Sequence, residues 1–146
     1  IGSLALGRVF PHCPTVRFRA ESLSRDPAVV RAYRDDPLVF HGRAPARTAS
    51  ETVLAVRSIE KRMDALELPL LVMHGGLDRV TDADGSKRLY ERARSRDKSL
   101  RVYPGLFHEI MNEPEKAEVL DDVRAWLLER GGTGRSWRIS RRCCCC

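Results

Sequence analysis

The chain lacks several features that would place it in a specialised class of protein. Its 146 residues contain no apolar run near the ~20 residues that a transmembrane helix needs. The start, Ile1-Gly-Ser-Leu-Ala-Leu-Gly7, has neither an initiator methionine nor the basic region of a signal peptide, so we expect an internal start. The content of 42% hydrophobic and 32% charged residues is typical of a soluble globular protein. The sequence leaves the location unknown; we expect a soluble protein, for which cytoplasmic and membrane-peripheral locations are both open.

Cysteine is scarce outside the end of the chain. Only Cys13 lies in the body, and the other four form the terminal run Cys143-Cys144-Cys145-Cys146. Adjacent cysteines cannot easily bridge one another, and they lack the C-x₂-C spacing of a zinc site. Palmitoylation of a basic, cysteine-rich tail is one interpretation. We favour another, in which residues 131–146 are a disordered or wrongly translated tail, and we expect no metal and no cofactor.

The net charge of +6 is unevenly distributed. The last sixteen residues carry no acid and account for four of the six net positive charges, through Arg135, Arg138, Arg141 and Arg142. In the rest of the chain, acidic and basic residues are interspersed as on a solvated surface. We therefore expect no nucleic-acid partner.

The first half of the chain predicts helices. Residues 1–20 are mixed and are broken by Pro11 and Pro14. Asp26 and Pro27 predict the start of a helix that ends near Asp36. A second helix is predicted from the capping-box spacing of Thr48-Ala-Ser-Glu51. Its apolar stripe comprises Val53, Val56, Ile59, Met63 and Leu66.

The second half predicts a strand-helix-strand-helix order. The strands are expected at residues 68–73 and 100–103, and the helices at residues 84–95 and from Pro114 onward. The last helix should turn Leu120, Val123 and Leu127 inward. This order indicates a right-handed parallel crossover. A two-stranded parallel sheet rarely stands alone, so we expect an α/β fold of which this chain is the C-terminal part.

Each predicted strand is followed by a glycine turn and one reactive side chain, Asp78 and then His108. In open α/β sheets, working residues gather at the carboxyl ends of the strands. A carboxylate bonded to imidazole Nδ1 holds a catalytic histidine in the required tautomer. The pattern alone leaves alternatives open, since Asp78 could form a turn and His108 could be a surface residue. No G-x-S-x-G occurs in the chain, so it contains no candidate nucleophile.

A family resemblance extends these predictions. The segments His74-Gly-Gly-Leu-Asp78 and Val102-Tyr-Pro-Gly-Leu-Phe-His108-Glu, with Leu23-Ser-Arg-Asp-Pro27 upstream, resemble the monoacylglycerol lipase family. These are lysophospholipase-like α/β-hydrolases with a serine aminopeptidase S33-type domain. The resemblance implies that Asp78 and His108 are the acid and base of a catalytic triad, and that His74 is structural. It also implies a lead-in at residues 1–20, a helical cap at 21–66 and a β-α-β-α part of the hydrolase core at 67–130.

The resemblance implies a serine hydrolase that cleaves acyl esters of monoacylglycerols or lysophospholipids. The partner would be a small-molecule acyl ester, with peripheral membrane contact as a further expectation. Both the nucleophile elbow and the oxyanion-hole segment of the family are absent from these 146 residues. Two alternatives remain: a catalytically inert truncated remnant, which we prefer for the isolated chain, and a membrane-peripheral or nucleic-acid-binding module that uses the basic tail.

Overall fold

The structure is a computed structural model that describes residues 2–131, so the predicted tail falls outside the described residues apart from Gly131. The five helices of this part are α1 (Gly2–Val9), α2 (Pro27–Asp35), α3 (Ala46–Glu60), α4 (Ala83–Arg92) and α5 (Lys116–Gly131). The two strands are β1 (Leu70–Gly75) and β2 (Lys98–Tyr103). Short 3₁₀ turns lie at Ala20–Ser22, Met63–Ala65 and Ile110–Asn112.

The strands β1 and β2 pair in parallel, from Leu70 beside Lys98 to Gly75 beside Tyr103. Helix α4 forms the crossover between them and packs against both strands. This arrangement confirms the predicted α/β class, because parallel neighbours require a connection that returns along the sheet. Buried Tyr103, Leu106 and Val119 form a hydrophobic core cluster beneath the strand ends.

Helix α5 turns inward a face that shares only Val123 with the predicted one. Val119 is completely buried, whereas Leu120 and Leu127 are 47% and 56% exposed. The inward face continues from Val119 through the partly buried Val123 and Trp126, which lie four and seven residues further on. Both stripes have helical spacing, and contact of Val119 with Tyr103 and Leu106 selects this one.

Helix α2 follows its local sequence signals. The Asp26 carboxylate accepts a hydrogen bond from the Ala28 N–H at 2.8 Å and caps the helix, and Pro27 occupies its first turn. The helix ends at Asp35, and Asp36 is extended because Pro37 follows it.

Helices α1 and α3 differ from the sequence prediction. The helix α1 was not predicted, and α3 begins at Ala46 rather than after Thr48. The capping box is not used: Pro45 precedes the helix, and the first buried positions are Ala46 and Ser50. The segment after α1 supports this start, because the Ala46 N–H donates to the Cys13 carbonyl oxygen at 2.8 Å and the Arg47 N–H donates to the Pro11 carbonyl oxygen at 3.0 Å.

The apolar stripe predicted for α3 is only partly buried: Met63 is buried, Val53 and Leu66 are partly buried, and the other two members are exposed. Val56 is 49% and Ile59 55% exposed, and α3 ends at Glu60, before Met63. In residues 2–131, no helix combines the length and the apolar character needed to span a bilayer.

Candidate active site

The ends of β1 and β2 bring their following loops together. The Gly76 N–H donates to the Tyr103 carbonyl oxygen at 2.6 Å, and the Leu77 N–H donates to the Leu106 carbonyl oxygen at 2.9 Å. Leu106 is itself buried in the core cluster. These backbone bonds hold the turn after β1 against the turn after β2.

The two glycines after His74 permit this contact. A Cβ at Gly75 would lie 2.0 Å from the Phe107 carbonyl oxygen, and one at Gly76 would lie 2.8 Å from Cα of Pro104. Backbone atoms cannot yield at such distances, so only glycine fits at these positions. The Arg79 guanidinium also lies over the Phe107 ring, 4.7 Å from its centroid. The loop that carries the histidine therefore rests on the loop that carries the aspartate.

Asp78 and His108 meet at this junction. Nδ1 of His108 lies 2.8 Å from Oδ2 of Asp78, a hydrogen-bond distance. The Asp78 side chain is 3% exposed and the His108 side chain 34% exposed. In the described part of the chain, Nε2 of His108 makes no hydrogen bond. The site thus pairs a buried carboxylate with an imidazole whose second nitrogen is available.

Four donors surround the Asp78 carboxylate. Oδ1 accepts from the N–H groups of Val80 (2.7 Å) and Thr81 (3.0 Å). Oδ2 accepts from the Thr81 hydroxyl at 2.7 Å and from His108. Burial raises the pKa of Asp78, but the hydrogen bonds from His108, Thr81 and Val80 outweigh it and lower this pKa to about 2. Asp78 is therefore ionised at neutral pH and accepts the Nδ1 proton of His108.

A second imidazole, that of His74, lies beside the same carboxylate. Nε2 of His74 is 3.2 Å from Oδ2 of Asp78, and the His74 side chain is 11% exposed. Its other nitrogen, Nδ1, lies 2.7 Å from the Ser86 hydroxyl on α4. The family resemblance implied a structural role for His74, and its proximity to Asp78 was not predicted. The four-residue spacing from His74 to Asp78 was the available signal.

The loop after His108 is held by the segment before α2. The Glu109 N–H donates to the Leu23 carbonyl oxygen at 2.8 Å, and the Ser24 hydroxyl donates to the Asn112 carbonyl oxygen at 2.9 Å. Glu113 has no exposed surface and accepts from the N–H (2.7 Å) and Nε (2.5 Å) of Arg25. We call these contacts, together with the Arg25–Glu115 ion pair, the clasp.

The sequence analysis did not identify the clasp. Its members lie 86 to 90 residues apart along the chain, too far for any local pattern to relate them. Opposite charges in Ser24-Arg-Asp and Asn112-Glu-Pro-Glu were the only available hint.

Two further polar side chains, those of His41 and Asp82, have structural contacts of their own. His41 is exposed, with Nε2 3.2 Å from the Asp36 carbonyl oxygen and its ring edge-on to Tyr33. The Asp82 carboxylate caps α4 by accepting from the Asp84 N–H at 2.9 Å. Across residues 2–131, no group of three or more histidine, cysteine or acidic side chains is placed to hold a metal ion.

The chain is similar to known lipases and matches a hydrolase family. Residues 3–115 match the family described as serine aminopeptidase, S33. The chain is 46% identical over 123 residues to the monoacylglycerol lipase of Mycolicibacterium smegmatis, a match that covers 84% of this chain and 44% of the lipase. It is 35% identical over 127 residues to mouse monoglyceride lipase, covering 86% of this chain and 42% of that enzyme.

A solved structure of a lipase is also similar to this chain. The monoacylglycerol lipase of Paleococcus ferrophilus superposes with a TM-score of 0.77 at 29% identity, over 87% of this chain and 50% of that one. The chain thus spans about half the length of the solved lipase and less than half of the two curated relatives. The family match, the parallel strand pair and the likeness to a solved lipase together show that the chain belongs to the serine aminopeptidase S33 family of α/β-hydrolases.

Proposed function

We propose that this chain supplies the acid and the base of the catalytic triad of a serine hydrolase that cleaves acyl esters of monoacylglycerols or lysophospholipids. The observation that carries the proposal is the 2.8 Å contact between a buried, ionised Asp78 and Nδ1 of the half-exposed His108. The substrate class is supported by the lipases that the chain resembles. The proposal places the nucleophilic serine and the oxyanion donors outside these 146 residues.

The geometry suits His108 to shuttle a proton. With Nδ1–H donated to Asp78, the neutral ring presents Nε2 without a proton, ready to accept one from the serine hydroxyl. The serine oxygen then attacks the ester carbonyl, and the alcohol leaves with the proton returned by Nε2 of His108. Water attacks the acyl-enzyme in a second round of the same transfers and releases the fatty acid. In both rounds the Asp78 carboxylate stabilises the imidazolium.

The same proposal assigns the parts of the chain. Residues 21–66 would form a helical cap preceded by a lead-in at residues 1–20, and residues 67–130 would form part of the hydrolase core. The clasp supports this division, because it joins the start of the proposed cap to the loop that carries His108. Lipid substrates also imply peripheral contact with a lipid surface.

The alternative of an inert remnant is not favoured by the comparisons. The match covers only 44% of the Mycolicibacterium lipase, so a missing serine is expected of a partial match. The alternative that uses the basic tail rests on residues beyond Gly131, which lie outside the described part of the chain.

A chimera tests the proposal directly. The matched segment of the Mycolicibacterium lipase is replaced by the corresponding segment of this chain, and hydrolysis of 2-oleoylglycerol and of a lysophosphatidylcholine is measured. We expect hydrolysis of at least one substrate, and a loss of about 10⁴-fold in kcat on His108→Gln, which removes the base.

The matched control is His12→Gln, since His12 is exposed and lies outside the site. It should leave kcat unchanged. A folded chimera that hydrolyses neither substrate, or that retains its activity after His108→Gln, would overturn the proposal.

A further inference from the structure

A chain of hydrogen bonds, which we call the relay, connects helix α4 to the Asp78 carboxylate. The Ser86 hydroxyl lies 2.7 Å from Nδ1 of His74, and Nε2 of His74 lies 3.3 Å from the Thr81 carbonyl oxygen. Thr81 in turn donates to both oxygens of Asp78, through its N–H at 3.0 Å and its hydroxyl at 2.7 Å. The relay is therefore Ser86, His74, Thr81 and Asp78, and it reaches both carboxylate oxygens, including Oδ2, the oxygen that His108 contacts.

The neighbours of His74 determine which of its nitrogens carries the proton. Nε2 faces two acceptors, the Thr81 carbonyl oxygen and the ionised Oδ2 of Asp78 at 3.2 Å. If Nε2 carried no hydrogen, its lone pair would face two acceptor oxygens, so Nε2 is the protonated nitrogen. In the neutral ring Nδ1 is then the acceptor, and the Ser86 hydroxyl donates to it.

We propose that His74 is a positioning residue for the triad, which fixes Thr81 through Nε2–H and thereby holds Asp78 in the orientation that binds Nδ1 of His108. The inference rests on the proposed function and deepens it. Two contacts carry it: the bond to Thr81, and the Nε2 proton close to Oδ2 of Asp78. His74 itself does not touch the reacting atoms. It acts by orienting Asp78, in the same way that residues surrounding a site orient the side chains that form it.

If the role of His74 were purely structural, loss of the acceptor at Nδ1 would matter more than loss of the donor at Nε2. In that interpretation, the bond between Nδ1 and Ser86 ties β1 to α4, and the contact of Nε2 is incidental. Two near-isosteric substitutions separate these roles. In His74→Asn the amide oxygen takes the place of Nδ1 and the donor at Nε2 is lost. In His74→Gln the amide N–H takes the place of Nε2 and the acceptor at Nδ1 is lost.

The readout is exchange of the His108 Nδ1 proton with water, measured by NMR on the full 146-residue chain. A held Asp78 protects this proton, because exchange requires the hydrogen bond to open. We expect His74→Asn to accelerate the exchange about tenfold or more, and His74→Gln to change it by less than about threefold. The control His41→Gln, on an exposed histidine away from the relay, should leave the exchange rate unchanged.

The outcomes separate this inference from the proposed function. Three results would overturn the positioning role: equal effects of the two substitutions, a larger effect of His74→Gln, or slow exchange in both variants. Each would do so whether or not the chimera hydrolyses esters. An inactive chimera combined with the expected exchange pattern would leave the positioning of Asp78 by His74 in place and refute only the lipase activity.

Discussion

The strand region, residues 70–131, and the helical region, residues 2–60, are held together in different ways. The strand region contains the core cluster of Tyr103, Leu106 and Val119 and the buried Asp78 side chain. In the helical region α2 buries no residue completely, and Phe18, Leu38 and Phe40 are all more than half exposed. The strand region also exposes large apolar side chains, Leu77 and Leu128 among them, so the two regions differ in their buried cores rather than in their exposed surfaces.

The difference shows which contacts fix the positions of Asp78 and His108. Asp78 and His108 depend on contacts made inside the strand region: backbone bonds between the two loops, glycines at their contact, and a hydrogen-bonded carboxylate. The helical region reaches this site through the clasp, which grips the loop after His108. The strand region should therefore keep the geometry of the acid and base even when the helical region is perturbed.

The largest expected effect is on catalysis and separates the two regions. In the chimera, Asp78→Asn should lower kcat by about 10⁴-fold, because an amide no longer holds the imidazole in the required tautomer. The matched control, Asp35→Asn at the exposed end of α2, should leave kcat within about twofold of the parent, since surface changes rarely matter. Similar losses in both variants would contradict the assignment of the acid to the strand region.

Close packing of the two loops gives the next prediction. Gly75→Ala should lower the free energy of unfolding by more than about 3 kcal/mol, because the new Cβ would collide with backbone oxygens of Phe107 and Leu106. Gly105→Ala is the control in the same loops, since no atom lies within 4 Å of its Cβ position. Urea denaturation measures both, and a stable Gly75→Ala protein would show that the loops are not in contact.

The contrast in burial can be tested with two identical substitutions. Val119→Ala in the core cluster should cost about 2 kcal/mol of unfolding free energy, because it leaves a cavity beside Tyr103 and Leu106. Val56→Ala, at a half-exposed position of α3, should cost less than about 0.5 kcal/mol. Equal costs by thermal unfolding would remove the distinction between the two regions.

The clasp is tested by Glu113→Gln, which keeps the size of the side chain but removes its charge. We expect the free energy of unfolding to fall by about 1–2 kcal/mol, because the buried side chain no longer offers acceptors that match its donors. Hydrogen exchange should accelerate in α2 and stay unchanged in α4. The exposed Glu67→Gln serves as control. Equal acceleration in both helices would mean that the clasp does not link two separable regions.

The last prediction is a pH dependence of stability that arises from Asp78 in the strand region. Because the pKa of Asp78 is lowered from 3.8 to about 2 on folding, its ionisation stabilises the native state above pH 3.8. This contribution is lost as the pH falls from 3.8 towards 2. The difference in unfolding free energy between the wild type and Asp78→Asn should shrink over that interval. A constant difference would mean that the folded structure does not favour the ionised carboxylate.

Local chemistry explains which elements could be predicted. Helix α2 has its own cap and its own proline signals, so Asp26 and Pro27 define its start without help from the rest of the chain. The strands are short apolar runs, and their parallel pairing follows from the helix between them. The predictions failed where tertiary contacts chose between equivalent patterns: the first N–H groups of α3 bond to the carbonyl oxygens of Pro11 and Cys13, and the inward face of α5 packs on Tyr103.

The residues alone were enough to identify the α/β class, the family and the two side chains that follow the strand ends, because each of these lies in a continuous segment. Tertiary contacts decided the rest: that Asp78 and His108 are 2.8 Å apart, that His74 lies beside the same carboxylate oxygen, and that Arg25 reaches Glu113. For two of these pairs the physical reason is separation along the chain, because partners 30 and 88 residues apart leave no local pattern. His74 is only four residues from Asp78, and there the turn after β1 decides whether the two side chains meet.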